Sequence, residues 1–137
     1  MPTSKYEWGY APKKPAPPKV PEALKRKVET EANALIESVL RPQHVQQPAE
    51  DPQFNYIVDL STKWYRSYFY FCSRYAVSGP NAIVPFFDAK FARLEYIGGD
   101  HFSLSAMRHN SQWMVIFPDL SLDECLAALC DDPWFHP

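Results

Sequence analysis

The sequence predicts an α+β fold: an antiparallel β-meander of about five strands, flanked by an N-terminal and a C-terminal helix packed on one face of the sheet. Three observations predict it. Apolar residues recur at helical spacing between positions 21 and 40. From position 54 to 117 they alternate in twos, interrupted by turn residues. A Ser-Leu-Asp-Glu sequence beginning at Ser121 then opens a second helical stripe. Helices layered on one sheet face bury the apolar side of every element.

A chain of 137 residues, 46% hydrophobic and 15% aromatic, has room for one domain and enough apolar surface to offset chain entropy. Residues 1–20 stand apart as an extended Pro-rich arm, and residues 21–137 form the single domain. In the arm Pro12, Pro15, Pro17 and Pro18 alternate with Lys13, Lys14 and Lys19, which favours polyproline-like backbone. Tyr6, Trp8 and Tyr10 occupy alternate positions, so an extended chain projects three rings to one side. A solvated linker has no use for them; they read as a docking element for the same chain, for a second copy or for a different partner.

The first helix follows from Leu24, Val28, Leu35, Ile36, Val39 and Leu40, with Pro21 suited to its first turn and Arg41-Pro42 ending it. Gln43 to Pro52 reads as a connector. Phe54, Tyr56, Val58 and Leu60 then turn inward on a strand whose outer side carries Ile57, Asp59 and Ser61. A second strand runs from about Trp64 to Ala76, with Phe69 and Phe71 on the core and Arg66, Tyr68, Tyr70, Cys72 and Arg74 on the opposite side. After a loop containing Gly79, Pro80 and Pro85 comes a strand near Ala89 to Ile97, in which Ala92, Leu94 and Tyr96 alternate with Arg93 and Glu95. Gly98-Gly99-Asp100 marks a hairpin, and His109-Asn110-Ser111 joins the strands Phe102 to Arg108 and Gln112 to Phe117. Ser121 and Glu124 fit a capping box for a short helix carrying Leu122, Cys125, Leu126 and Leu129. Asp131, Asp132 and Pro133 end it, and Trp134 and Phe135 fold back on the body.

The formal net charge of -2 divides into +2 over residues 1–50 and -4 over residues 51–137. That balance lacks the cationic surplus of a duplex-binding protein. Without an apolar run long enough to span a bilayer or to serve as a leader, the chain reads as a cytoplasmic protein with no membrane partner. Cys72, Cys125 and Cys130 are odd in number and lack the repeats of a zinc module, so they read as free thiols.

From Phe91-Ala92-Arg93-Leu94-Glu95-Tyr96 through Met107-Arg108-His109 and Trp113 to Ser121-Leu122-Asp123-Glu124-Cys125-Leu126 and Asp132-Pro133-Trp134-Phe135, the sequence resembles a family of small uncharacterised bacterial proteins, a domain of unknown function. The resemblance covers roughly the last third of the chain. It implies a bacterial intracellular setting and a meander followed by a helix, and it brings no catalytic motif.

Two surfaces stand out. Arg66, Tyr68, Tyr70 and Arg74 at alternate positions combine rings and guanidinium groups as single-stranded nucleic-acid platforms do, and Arg93, Met107 and His109 extend that face if the neighbouring strands pair in register. The same composition serves any half-solvated strand. The aromatic arm is the second surface. Asp88-Ala89-Lys90 with Asp59 imitates the acid-x-Lys pattern of metal-dependent nucleases, but so short a pattern is common by chance. Four histidines, at positions 44, 101, 109 and 136, have no ligand partner at helical spacing and read as ordinary surface residues. The expected function is therefore a non-enzymatic interaction module, needing no cofactor or metal, that binds a protein partner or builds a homo-oligomer. Single-stranded nucleic-acid binding ranks second and a metal-dependent nuclease or hydrolase third.

Overall fold

The computed structural model describes residues 18–45, 55–77 and 85–137. Phe54 and the arm residues Tyr6, Trp8 and Tyr10 lie outside the described residues, so the expectations placed on them are neither met nor overturned.

Helix α1 (Glu22–Leu35) buries Leu24, Val28 and Ala32, four residues apart, as its apolar stripe requires. It does not stop at Leu40. A π-helical turn at Ile36–Leu40 leads into α2 (Arg41–His44), in which the Arg41 N–H reaches back to the Ile36 carbonyl. Pro42 has no N–H for the carbonyl of Ser38, and its ring would crowd that carbonyl in a regular α-turn. The wider turn accommodates it, and the helix continues with Ile36 and Leu40 both buried.

Strands β1 (Tyr56–Tyr65), β2 (Tyr68–Ala76), β3 (Phe86–Gly98), β4 (His101–Met107) and β5 (Trp113–Ser121) form one antiparallel sheet in chain order. Two differences from the expected pattern matter. The segment expected as one strand from Trp64 turns at Arg66–Ser67, where Tyr65 pairs with Tyr68 and Arg66 takes φ +57. Neither turn residue is glycine or asparagine, the usual occupants of such a backbone, so no local signal announced the hairpin. At the start of β1 the register slips between Ile57 and Asp59, so Val58 is the extra residue of a bulge. Leu60 is buried as expected, but Ile57 is buried in place of the expected Tyr56 and Val58.

A second bulge leaves Phe91 unpaired between Lys90 and Ala92, and Phe91 and Ala92 are both buried. The β3–β4 turn has the expected residues, with Gly98 at φ +103, Gly99 at +56 and Asp100 at +62.

Helix α3 (Leu122–Asp131) begins where β5 ends and covers β4 and β5, while α1 covers β1 and touches α3. Between helices and sheet lie Val28, Ile36, Leu40, Phe69, Phe71, Leu94, Phe102, Leu104, Cys125 and Phe135, each nearly devoid of solvent contact. Trp64 crosses from sheet to helix, its Nε1–H donating to the Lys25 carbonyl at 3.2 Å.

The capping box is formed in full: the Glu124 N–H donates to Ser121 Oγ at 3.2 Å and the Ser121 N–H to Glu124 Oε1 at 3.0 Å. Ser121→Ala should cost about 1 kcal/mol through the lost cap, read as a lower urea midpoint. Those bonds from Ser121 hold the Glu124 carboxyl below its ordinary 4.5. A carboxylate with a lowered folded pKa contributes stability above its unfolded pKa and loses it as pH falls through the folded value. The melting temperature of the wild type should therefore fall as pH drops below about 4.5, more steeply than that of Glu124→Gln, which has no carboxyl to protonate. Equal acid slopes would remove the box from the account.

Candidate functional site

Both helices lie on one side of the sheet, so no helix among the described residues covers the other side, on which Tyr70, Cys72 and Ser105 are nevertheless buried by their neighbours. Residues alternate along each strand, and the register places Tyr68 and Tyr70 of β2 beside Glu95 and Arg93 of β3, with Ser105 of β4 and Val115 of β5 continuing the row. The Arg93 guanidinium lies 4.5 Å from the Tyr68 ring centroid and 4.6 Å from that of Trp113. Tyr70 stands 6.0 Å from Tyr68 and 5.9 Å from Trp113, and Lys90 Nζ caps its ring at 4.5 Å. Three rings and two cations thus interlock at the centre of the face. Arg93 Nε is buried without a hydrogen-bond partner among the described residues. A hydrogen bond to Glu95, with burial second, raises the pKa of the Tyr68 hydroxyl.

Of the expected face residues, Tyr68, Tyr70 and Arg93 come together. Arg66 does not: it sits in the hairpin turn, its guanidinium 5.3 Å from the Tyr65 ring. Arg74 lies on the same side but toward the far end of β2, bound to both carboxylate oxygens of Asp88 at 2.8 and 3.2 Å. His109 is in the exposed β4–β5 turn, and Met107 pairs with Trp113 at the margin. Trp113 and Lys90 were missed as members of the cluster, because their place depends on cross-strand register, which a single sequence does not display.

Asp59, Asp88 and Lys90 do converge, around a cleft of about 330 Å³ on the open face that is floored by Cys72. Their partners define its chemistry. Asp59 Oδ1 accepts from Arg41 at 2.6 Å, and Arg41 also reaches Glu37 at 3.0 Å and the Leu60 carbonyl at 3.2 Å. Arg74 holds the Asp88 carboxyl below its ordinary range. Burial raises the Cys72 thiol, with Lys63 and Lys90 opposing that shift. Each carboxylate is already committed to an arginine, and no group of three His, Cys, Asp or Glu among the described residues could hold a metal ion.

The histidines are less ordinary than the sequence implies. The His44 and His136 rings meet edge to face at 4.8 Å, and His101 Nδ1 lies 2.6 Å from Asp119 Oδ1. Burial, reinforced by His136, lowers the pKa of His44. Cys72, Cys125 and Cys130 are all free, as expected. No helix among the described residues is long and apolar enough to cross a membrane.

These features define a small α+β domain with one five-stranded meander, helices on one face, and an aromatic and charged surface on the other. The chain belongs to the family described as Domain of unknown function (DUF3024), which matches residues 20–137. The match takes in both helices and the whole sheet, and so corrects the expectation that the resemblance was confined to the last third. No curated protein and no solved structure matches the chain.

Proposed function

We propose that this protein is a non-enzymatic interaction module that self-associates through the open face of its sheet. The observation that carries this reading is the interlocked Tyr68, Tyr70, Trp113, Arg93 and Lys90 cluster on a sheet face that no helix among the described residues covers. Tyr, Trp and Arg concentrate at the centres of protein interfaces, where large rigid side chains gain contact at low entropic cost. Tyr65 on β1 and Val115 on β5 extend the surface at its two margins, each more than half exposed.

A second copy is the favoured occupant because the face carries both signs of charge. Lys63, Arg74, Lys90 and Arg93 are interspersed with Asp59, Asp88 and Glu95, so a two-fold related copy can set its acids against these bases. Five strands of 7 to 13 residues, ~4.8 Å apart and rising ~3.3 Å per residue, present roughly 700–800 Å² of plane. A standard interface takes about 800 Å² per partner, and Tyr6, Trp8 and Tyr10 of the arm are assigned the remainder.

Nucleic acid is less favoured, since the rings are already covered by cations and Arg74 is neutralised by Asp88. Commitment of Asp59 and Asp88 to arginines counts against a metal-dependent nuclease. Three unpaired thiols suit a reducing, cytoplasmic setting.

Solution mass by light scattering tests the proposal. The full chain should weigh close to twice 15.8 kDa. The double substitution Tyr65→Glu/Val115→Lys should return a folded monomer, and removal of residues 1–17 should weaken the dimer. A monomeric wild type at all workable concentrations would overturn self-association and make capture of a different partner the next experiment.

A further inference from the structure

We propose that the cleft at the head of the β1–β2 hairpin is a binding site for a phosphate group. It encloses about 250 Å³ between Pro18, Lys19, Val20, Lys25, Arg66 and Ser67. Its three cations come from three separate segments: the chain entering the domain, the first turn of α1, and the hairpin. No carboxylate among the described residues lines it. Lys25 meets Glu22 only at 3.8 Å on an exposed surface, and Arg66 has no ion pair among the described residues. Lys19, Lys25 and Arg66 are the charged residues among those that line the hollow, so an anion entering it meets lining residues of opposite sign.

The walls are fixed by bonds that do not involve the cationic groups. Trp64 Nε1–H ties the backbone at Lys25 to the sheet, and the Tyr96 N–H donates to the Ser67 carbonyl at 3.0 Å. Val20 and Ser67 are buried, and Pro18 lies against the Gly98 turn. The backbone that carries Lys25 and Ser67 is therefore held in place.

The backbone of Arg66 adds an independent indication. At φ +57 in a two-residue turn, glycine is the unstrained occupant, yet this position carries a long cationic side chain. Strain kept at a charged, exposed residue is the usual mark of a side chain retained for binding. Three positive groups match a phosphate dianion better than a single carboxylate. The hollow is also smaller than ordinary pockets for drug-sized ligands, which suits free phosphate or the phosphate end of a small monoester.

The site adjoins the margin of the open face at Tyr65, near whose ring the Arg66 guanidinium lies, so the titration is repeated at low protein concentration, where the chain is monomeric, to separate phosphate binding from dimer formation. Amide chemical shifts of the full chain would be followed by NMR while inorganic phosphate, and separately glycerol phosphate, is added at constant ionic strength against chloride. Saturable shifts at Lys19, Lys25, Arg66 and Ser67 are expected below about 10 mM. Arg66→Gly should weaken binding at least about tenfold while its melting temperature stays at or above that of wild type, because the turn is relieved. Lys25→Gln, which leaves the turn untouched, should weaken it similarly. Tighter binding of glycerol phosphate would identify a monoester as the source, and equal binding free phosphate. Absence of saturable shifts with either probe, or undiminished binding in both variants, would overturn the proposal.

Discussion

Replacing Phe71 with alanine is expected to remove about 3–5 kcal/mol of stability, enough to lower the urea midpoint to a fraction of its wild-type value. Phe71 has no solvent contact and stands on β2 between Phe69, at 5.3 Å and nearly perpendicular, and Phe91, at 6.1 Å. Its ring lies within the single layer that joins helices to sheet, so a cavity there has contacts to lose on both sides. A domain of this size has a total stability of about 5–15 kcal/mol, and one such cavity uses much of it. Tyr65→Ala, on the open face and more than half exposed, should change stability by no more than about 0.5 kcal/mol in a monomeric background. Comparable losses at the two positions would contradict the assignment of the sheet's two faces.

The second large effect concerns a thiol. Cys125 of α3 is fully buried, and desolvation pushes its pKa up to about 12. At pH 8 the thiolate fraction of such a group is roughly a thousandfold below that of an ordinary exposed cysteine. Cys130, five residues on, is partly exposed, and burial and Asp131 push its thiol pKa upward. Alkylation of the native protein at pH 8, followed by peptide mass analysis, should label Cys130 first. Cys125 should be labelled only at the rate at which α3 opens or the domain unfolds, and it should react promptly in urea. Equal native rates for the two thiols would mean that α3 is not seated on β4 and β5 as described.

Local chemistry made several parts of this fold legible. Ser121 and Glu124 are a self-contained signal, because the donors and acceptors of a capping box lie three residues apart in one chain. Gly98-Gly99-Asp100 marked its turn for the same reason, since few residues tolerate positive φ. Alternation in Ala92, Leu94 and Tyr96 identified the buried side of β3. Elsewhere local chemistry is silent: Arg66–Ser67 turns without a turn residue, and a helix passes through Pro42 by widening.

For the candidate surfaces, the sequence by itself determined which residue types share a side of β2, namely Tyr68, Tyr70 and Arg74 opposite Phe69 and Phe71, because side chains on a strand must alternate. Tertiary structure alone decided what those residues meet. The bulge at Phe91 sets Arg93 against Tyr70 and Lys90 against Cys72, and Trp113 arrives from a strand more than forty positions away. It also turned a possible Asp59, Asp88 and Lys90 triad into two arginine-bound carboxylates, through Arg41 from a helix and Arg74 from the next strand. Periodicity acts along one strand, whereas a site is assembled across several, and the register between strands comes from packing of the whole core.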